Sequence, residues 1–199
     1  VAVITLPSTI AFRSVKPSLV DAGYVLKSGG NAASTRVDRP GTHYKAEFTF
    51  PVMKPNDARA LRSRLVEAKS AGIRVTWPLV DQDQGGFGTP VVDGTDSAGT
   101  ALKLEGMTAG AMLREGTWLS VLDADGVHYL HDIRTPVRVG SDGKATTRVW
   151  PPLRCALADG ATVKIAAPQF EGVLISDVEW EIPVNRLFMP PAIVIEEAL

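Results

Sequence analysis

From Ala98 to Pro168 the chain reads AGTALKLEGMTAGAMLREGTWLSVLDADGVHYLHDIRTPVRVGSDGKATTRVWPPLRCALADGATVKIAAP. Short apolar runs alternate there with turn signals about every ten residues, the spacing of a small antiparallel barrel or sandwich. Thr117 to Leu122 and Val127 to Arg134 are strand-like, and Asp123-Ala-Asp-Gly126 between them has the composition of a hairpin turn. Val137 to Val139 and Ala145 to Val149 flank Gly140-Ser-Asp-Gly143 in the same way. Ala101 to Leu104 and Ala161 to Ala166 supply further strands, Gly106 to Glu115 a connection, and Pro151-Pro152 a stop.

Upstream, Asp81 to Asp96 (DQDQGGFGTPVVDGTD) is rich in Gly and Asp and reads as a long exposed connection. Before it, Ile73 to Val80 is β-like, with Trp77 against the core. A helix is expected over Asp57 to Ala71. Asn56 is its N-cap, Ala58, Leu61, Leu65 and Ala68 form one apolar stripe, and Gly72 ends it. Its basic residues, Arg59, Arg62, Arg64 and Lys69, read as a solvated face. His43 to Phe50 alternates strictly. Tyr44, Ala46, Phe48 and Phe50 point one way, while His43, Lys45, Glu47 and Thr49 point to water. Nearer the start, Val1 to Leu6, Tyr24-Val-Leu26 and Ser34 to Arg39 are short strand candidates broken by Pro7, Gly29-Gly30-Asn31 and Pro40-Gly41.

Alternation returns from Gly172. Leu174, Val178, Trp180 and Ile182 face one way, and Asp177, Glu179 and Glu181 the other, so a long strand is expected in the sheet that holds Tyr44 to Phe50. Met189-Pro-Pro191 and the terminal IVIEEAL read as an apolar, acidic arm. The resulting expectation is a mostly β protein: an antiparallel β-sandwich with one helix plus a small inserted β-barrel-like lobe. The sandwich takes residues 1–95 and 169–199 with the helix at 57–71, and the lobe takes 96–168.

The chain has 199 residues, 45% of them hydrophobic and 22% charged, ordinary values for a globular protein. A formal net charge of -1 gives no bulk attraction for nucleic acid or an anionic membrane. Cys155 is the single cysteine, so no intrachain disulfide can form. No apolar run approaches the ~20 residues of a membrane helix, and VAVITLP lacks the basic flank and cleavage pattern of a leader.

Chemical motifs fail one by one. His128 and His131 lie three apart on a strand and face opposite ways, so with Asp132 they make a poor metal site. A calcium loop starting at Asp123 needs a Glu at its twelfth position, which is Arg134. Gly85-Gly-Phe-Gly88 is followed by Thr-Pro, not by the lysine of a phosphate loop. Cys155 has Arg154 beside it but no base placed by sequence, and reads as a partly buried, inert thiol. No Gly-x-Ser-x-Gly elbow is present. Accordingly no catalytic, cofactor-binding or metal residue is assigned, no cofactor is expected, and the chain is read as a non-enzyme. Trp118, Trp150 and Tyr129 keep open an alternative, a carbohydrate- or receptor-binding β-sandwich module in which they stack on sugars.

Two runs carry a family resemblance. The first is Pro78-Leu-Val80, Gly85-Gly-Phe-Gly-Thr-Pro-Val-Val-Asp-Gly94 and Ala98-Gly-Thr-Ala-Leu102. The second is Leu113-Arg-Glu-Gly-Thr-Trp-Leu-Ser-Val121, Gly143-Lys-Ala-Thr146, Trp150-Pro-Pro-Leu-Arg154 and Ala158-Asp-Gly-Ala161. Together with the order of strand 43–50, helix 57–71 and strand 172–184, they make the chain resemble the distal tail or tail-tip proteins of long-tailed, siphovirus-like bacteriophages. The resemblance runs from about residue 40 to the closing strand, and residues 1–40 match nothing in it. It implies a virion component in the tail, a homohexameric ring that joins the tail tube protein to the hub and other tail-tip proteins and leaves a lumen for DNA. It implies no sequence-specific nucleic-acid binding and no membrane insertion. Acidic faces such as Asp177, Glu179 and Glu181 would suit a lumen that DNA must pass without sticking.

Overall fold

The computed structural model describes residues 2–7, 10–27, 34–37, 41–80, 83–180 and 188–197. In chain order the elements are β1 (Ile4–Thr5), β2 (Ser14–Val20), β3 (Tyr24–Leu26), β4 (Thr35–Val37), β5 (His43–Thr49), α1 (Pro55–Ala71), β6 (Ile73–Thr76) and β7 (Gly88–Val92). There follow β8 (Ala101–Met107), β9 (Met112–Leu113), β10 (Trp118–Leu122), β11 (His128–Ile133), β12 (Val137–Arg138), β13 (Ala145–Trp150), β14 (Val163–Lys164), β15 (Gln169–Leu174) and β16 (Ile193–Glu197). The protein is mostly β, with one helix among the described residues and a nearly closed barrel-like sheet, as the sequence pattern predicts.

The first sheet has the order β1-β6-β15-β16-β5-β2, and only its β1–β6 pair is parallel. Its inner face is built by alternation: Ala46 and Phe48 on β5, Ile193 and Ile195 on β16, Phe170 and Leu174 on β15, Ile73 and Val75 on β6. Helix α1 lays Leu61, Leu65 and Ala68 on that face. Its start differs from the sequence expectation. Pro55 opens the helix and Lys54 precedes it without a side-chain cap, so Asn56 lies within the first turn. Proline suits that place because its missing N–H would have had no helical partner. Gly72 ends the helix at φ 79° as expected, and its N–H reaches the Ala68 carbonyl.

The second sheet has the order β14-β10-β11-β13-β8-β7. A bridge from Val91 to Thr162, with Val92 N–H on the Ala161 carbonyl, brings β7 back to β14 and almost closes the barrel. Leu102, Leu104, Leu119, Ile133 and Val149 fill it. Strand β7 lies inside the stretch expected to be a connection, so the passage from one sheet to the other precedes Gly88 instead of falling at residue 95. The β-branched Thr89, Val91 and Val92 are the signal for this strand, and Pro90 masks it. Proline is tolerated here because the pairing of β7 with β8 is irregular between Gly88 and Val91.

Four further expectations differ from the structure. The closing strand ends at Leu174. Residues 177–180 are not strand, Trp180 is beside Arg62 of the helix, and Glu181 and Ile182 lie outside the described residues. The terminal IVIEE is no arm but the strand β16, seated between β15 and β5, because buried Ile193, Ile195 and Glu197 alternate with half-buried neighbours. Strand β2 escapes the sequence pattern because Pro17 interrupts it. As an edge strand it does not need every N–H. Lastly, His43 is buried instead of solvated, held by the Gly41 carbonyl and the Glu196 carboxylate.

Candidate interaction surfaces

The junction between the two sheets is made by polar side chains that replace missing strand partners. Strand β13 pairs with β11 only at Asp132 and Ile133. Further back along β11, the N–H groups of His128 and Leu130 find acceptors in the first sheet instead. Glu171 of β15 accepts from His128 N–H at 3.1 Å and from Arg74 Nε at 2.7 Å. Glu197 of β16 accepts from Leu130 N–H at 2.7 Å, from Tyr44 N–H at 3.0 Å, and from the Arg154 guanidinium. Both carboxylates are almost wholly buried. A buried backbone N–H without an acceptor is costly, and a buried carboxylate without donors is costlier, so each group answers the need of the other. Burial pushes the Glu197 carboxyl up, opposed by Arg154 and by the Leu130 and Tyr44 amides.

The far side of the junction uses Gln84. Its amide nitrogen donates to the Trp118 and Ile165 carbonyls, both at 2.7 Å, and its oxygen accepts from Trp118 N–H at 2.9 Å. Ser120 Oγ takes the N–H of Gln169. Between these clasps, Trp118 sits against Tyr44 and Trp77, and Leu130 joins the core of the first sheet. Side-chain clasps from Gln84, Ser120, Glu171 and Glu197 and a shared aromatic cluster therefore hold the two sheets in one orientation.

The first sheet also carries compensating charges. Lys16 is opposite Glu47, Lys45 is opposite Glu196, and Arg74 pairs with Glu171. Opposite charges across strands stabilise modestly.

Beyond His43, the β2–β5 hairpin continues as a two-stranded ribbon, β3 with β4. Val25 is 50% and Leu26 51% exposed, and Tyr24 is exposed too. Ribbons of two strands are marginal alone in water. Among the described residues, strand β2 is also a free sheet edge. Beside its first half runs a groove of about 270 Å3, lined by Phe12, Val15, Trp77, Val80 and Trp118 and also by Arg13 and Ser14. A larger groove of about 630 Å3 lies between the Asp83–Phe87 loop and Met112–Thr117, with Asp83, Arg114 and Glu115 as its charged lining.

The residues singled out for chemistry do not converge. Among the described residues no group of three or more His, Cys, Asp or Glu could hold a metal ion. His131 Nδ1 lies 2.8 Å from the Pro151 carbonyl; since a carbonyl only accepts, the proton is on Nδ1. Burial pulls both His131 and His128 down to about 4, so both are neutral at pH 7. The His128 Nδ1 is buried without a hydrogen-bond partner among the described residues. Cys155 is exposed, not partly buried. Desolvation by the atoms around its sulfur, and then Asp123, push the thiol up, the reverse of what a nucleophile needs. Of the aromatics considered for sugar stacking, Trp118 is wedged in the junction and Tyr129 lies under the Arg154 guanidinium. Trp150 is half-buried at the end of β13, opposite Asp132. Asp177 is exposed and 3.8 Å from Lys69; Glu179 is exposed as well.

No family model matches the chain, and no curated protein matches it. The features that sequence reasoning misses are Gln84, Glu171, Glu197 and the groove along β2. Only the two consecutive glutamates inside an apolar terminal run hint at the first group.

Proposed function

We propose that this chain is a structural, non-enzymatic subunit of the tail tip of a long-tailed bacteriophage. Copies of it form a ring, a homohexamer, that joins the tail tube protein to the distal hub and other tail-tip proteins and leaves a lumen for DNA. It resides in the virion tail and neither reads DNA sequence nor enters a membrane.

One observation carries the reading: among the described residues the first sheet ends in a free edge at β2, and a two-stranded ribbon with exposed Val25 and Leu26 continues from the adjoining hairpin. A free edge together with an exposed apolar ribbon suits a chain whose partner is more protein. The resemblance of the runs 78–102 and 113–161 supplies the kind of assembly. The clasped junction supports it too, because a collar that transmits force needs lobes that do not swing. Electron microscopy of the purified protein and of intact particles tests the reading. The expected image is a closed ring at the distal end of the tail; particles whose tail tips lack this chain would overturn it.

A further inference from the structure

The tip of the β10–β11 hairpin is tied to the first sheet by Glu171 and Arg74. The His128 backbone N–H donates to Glu171 Oε2 at 3.1 Å, and Arg74 Nε donates to the same oxygen at 2.7 Å. Arg74 also reaches into the hairpin turn, where its Nη2 donates to the Gly126 carbonyl at 2.9 Å. His128 itself is 2% exposed, and its ring Nδ1 is buried with no hydrogen-bond partner among the described residues. We propose that His128 is an acid-operated release: a proton taken up by its ring frees the hairpin tip from β6 and β15, while the rest of the junction stays clasped.

A neutral imidazole fits this place and an imidazolium does not. A charged ring carries an N–H on both nitrogens, so Nδ1–H would stand buried with nothing to accept it. The charged groups around the ring add to the cost. Lys164 of β14 and Arg74 of β6 bring positive charge toward it. Asp123 of the turn opposes them, but its Oδ1 already accepts from the Asp125 and Val127 amides. Glu171 of β15 is already shared between Arg74 and the His128 N–H. Burial, then Lys164 and Arg74, hold the ring down to about 4. Once the tip lifts, water solvates the ring and its ordinary value of ~6.5 returns. The open form then takes the proton that the closed form refuses, so opening at pH 5 is favoured about 30-fold over pH 8.

The release is local because the other clasps do not depend on that ring. Glu197 holds Leu130 N–H from β16, and Gln84 holds Trp118 at the opposite end of β10. His131, also buried on β11, bonds the Pro151 carbonyl, a contact that lifting the tip leaves intact. The device sits within one subunit and is independent of ring formation.

Amide hydrogen exchange of the full-length protein, followed by NMR at pH 8, 6 and 5 and corrected for the intrinsic rate at each pH, tests the release. Protection of the His128 amide should fall about 30-fold from pH 8 to pH 5, while the Leu130 and Ile133 amides keep theirs. His128→Phe keeps a ring in place that takes no proton, and should abolish the drop. Lys164→Gln removes one of the cations at a half-buried position of β14 and should shrink it, which provides the test if His128→Phe does not fold. Equal protection of the His128 amide at pH 8 and pH 5 would overturn the proposal. So would a loss shared by Leu130 and Ile133, which is unfolding of the whole junction, or a drop undiminished in the variants.

Discussion

Replacing Glu197 by glutamine keeps the shape of the side chain and removes its charge. In the native protein the Glu197 carboxylate serves Leu130 N–H, Tyr44 N–H and Arg154, and it is 2% exposed. A glutamine has one acceptor oxygen. If that oxygen keeps Leu130, the amide NH2 is aimed at Tyr44 N–H and at Arg154, donor against donor. If it turns over, Leu130 is left facing a donor. Removing one partner of a buried ion pair costs about 3–5 kcal/mol, and a stranded buried N–H adds to it. An overall loss of about 4 kcal/mol is expected, a large part of a typical stability of ~5–15 kcal/mol. For a chain of this size that is a fall in Tm of about 10 °C. Asp177→Asn is the control. That side chain is 90% exposed and 3.8 Å from Lys69, so it should cost less than ~1 kcal/mol. Urea unfolding gives the energies, and hydrogen exchange at the Leu130 and Tyr44 amides locates the damage. A loss below ~1 kcal/mol for Glu197→Gln, with both amides still protected, would refute the clasp.

Stability should fall as pH drops from about 6.5 toward 4. The His131 and His128 imidazoles are held down to about 4, so below 6.5 the unfolded chain takes protons that the folded one refuses. His131 alone accounts for about 3 kcal/mol across that window. Glu197 works the other way, its carboxyl being raised, and offsets part of the loss. His131→Asn, which keeps a donor for the Pro151 carbonyl, should flatten the pH profile of the urea midpoint; an unchanged slope would contradict the assignment. Gln84→Ala removes the bonds to Trp118 and Ile165 and should cost about 2–3 kcal/mol, read by unfolding and by a shifted tryptophan emission from Trp118. Gly172→Ala should cost about 3 kcal/mol or more, because a Cβ there overlaps the Glu196 carbonyl of β16; normal stability would mean the two strands are not so close.

Some elements are plain in the sequence and others are hidden for identifiable reasons. Tyr44 to Phe50 announces a half-buried strand because residues of alternating polarity sit on a sheet with one covered face. The hairpin at Asp123–Gly126 is legible because its turn demands a positive φ, which Gly126 adopts at 81°. Strands containing proline, β2 and β7, are illegible. A local rule sees the missing donor but not that an edge or an irregular pairing tolerates it. Val178 and Trp180 alternate like strand residues, yet Val178 packs against the core of the first sheet and Trp180 meets Arg62, so local periodicity misleads there. The junction is invisible because its side chains bond to distant backbone groups. Gln84 reaches Trp118 across 34 positions, Glu171 reaches His128 across 43, and Glu197 reaches Leu130 across 67. Nothing local encodes a partner that far away.

If this chain exists to bind copies of itself, sedimentation velocity tests that most directly. The full-length protein is run across a wide concentration range with the Leu26→Asp variant alongside. The expected result is a reversible step from monomer to one closed species without a long series of intermediates, lost in the variant. A parent chain that sediments as a monomer throughout, with or without tube protein, would contradict it.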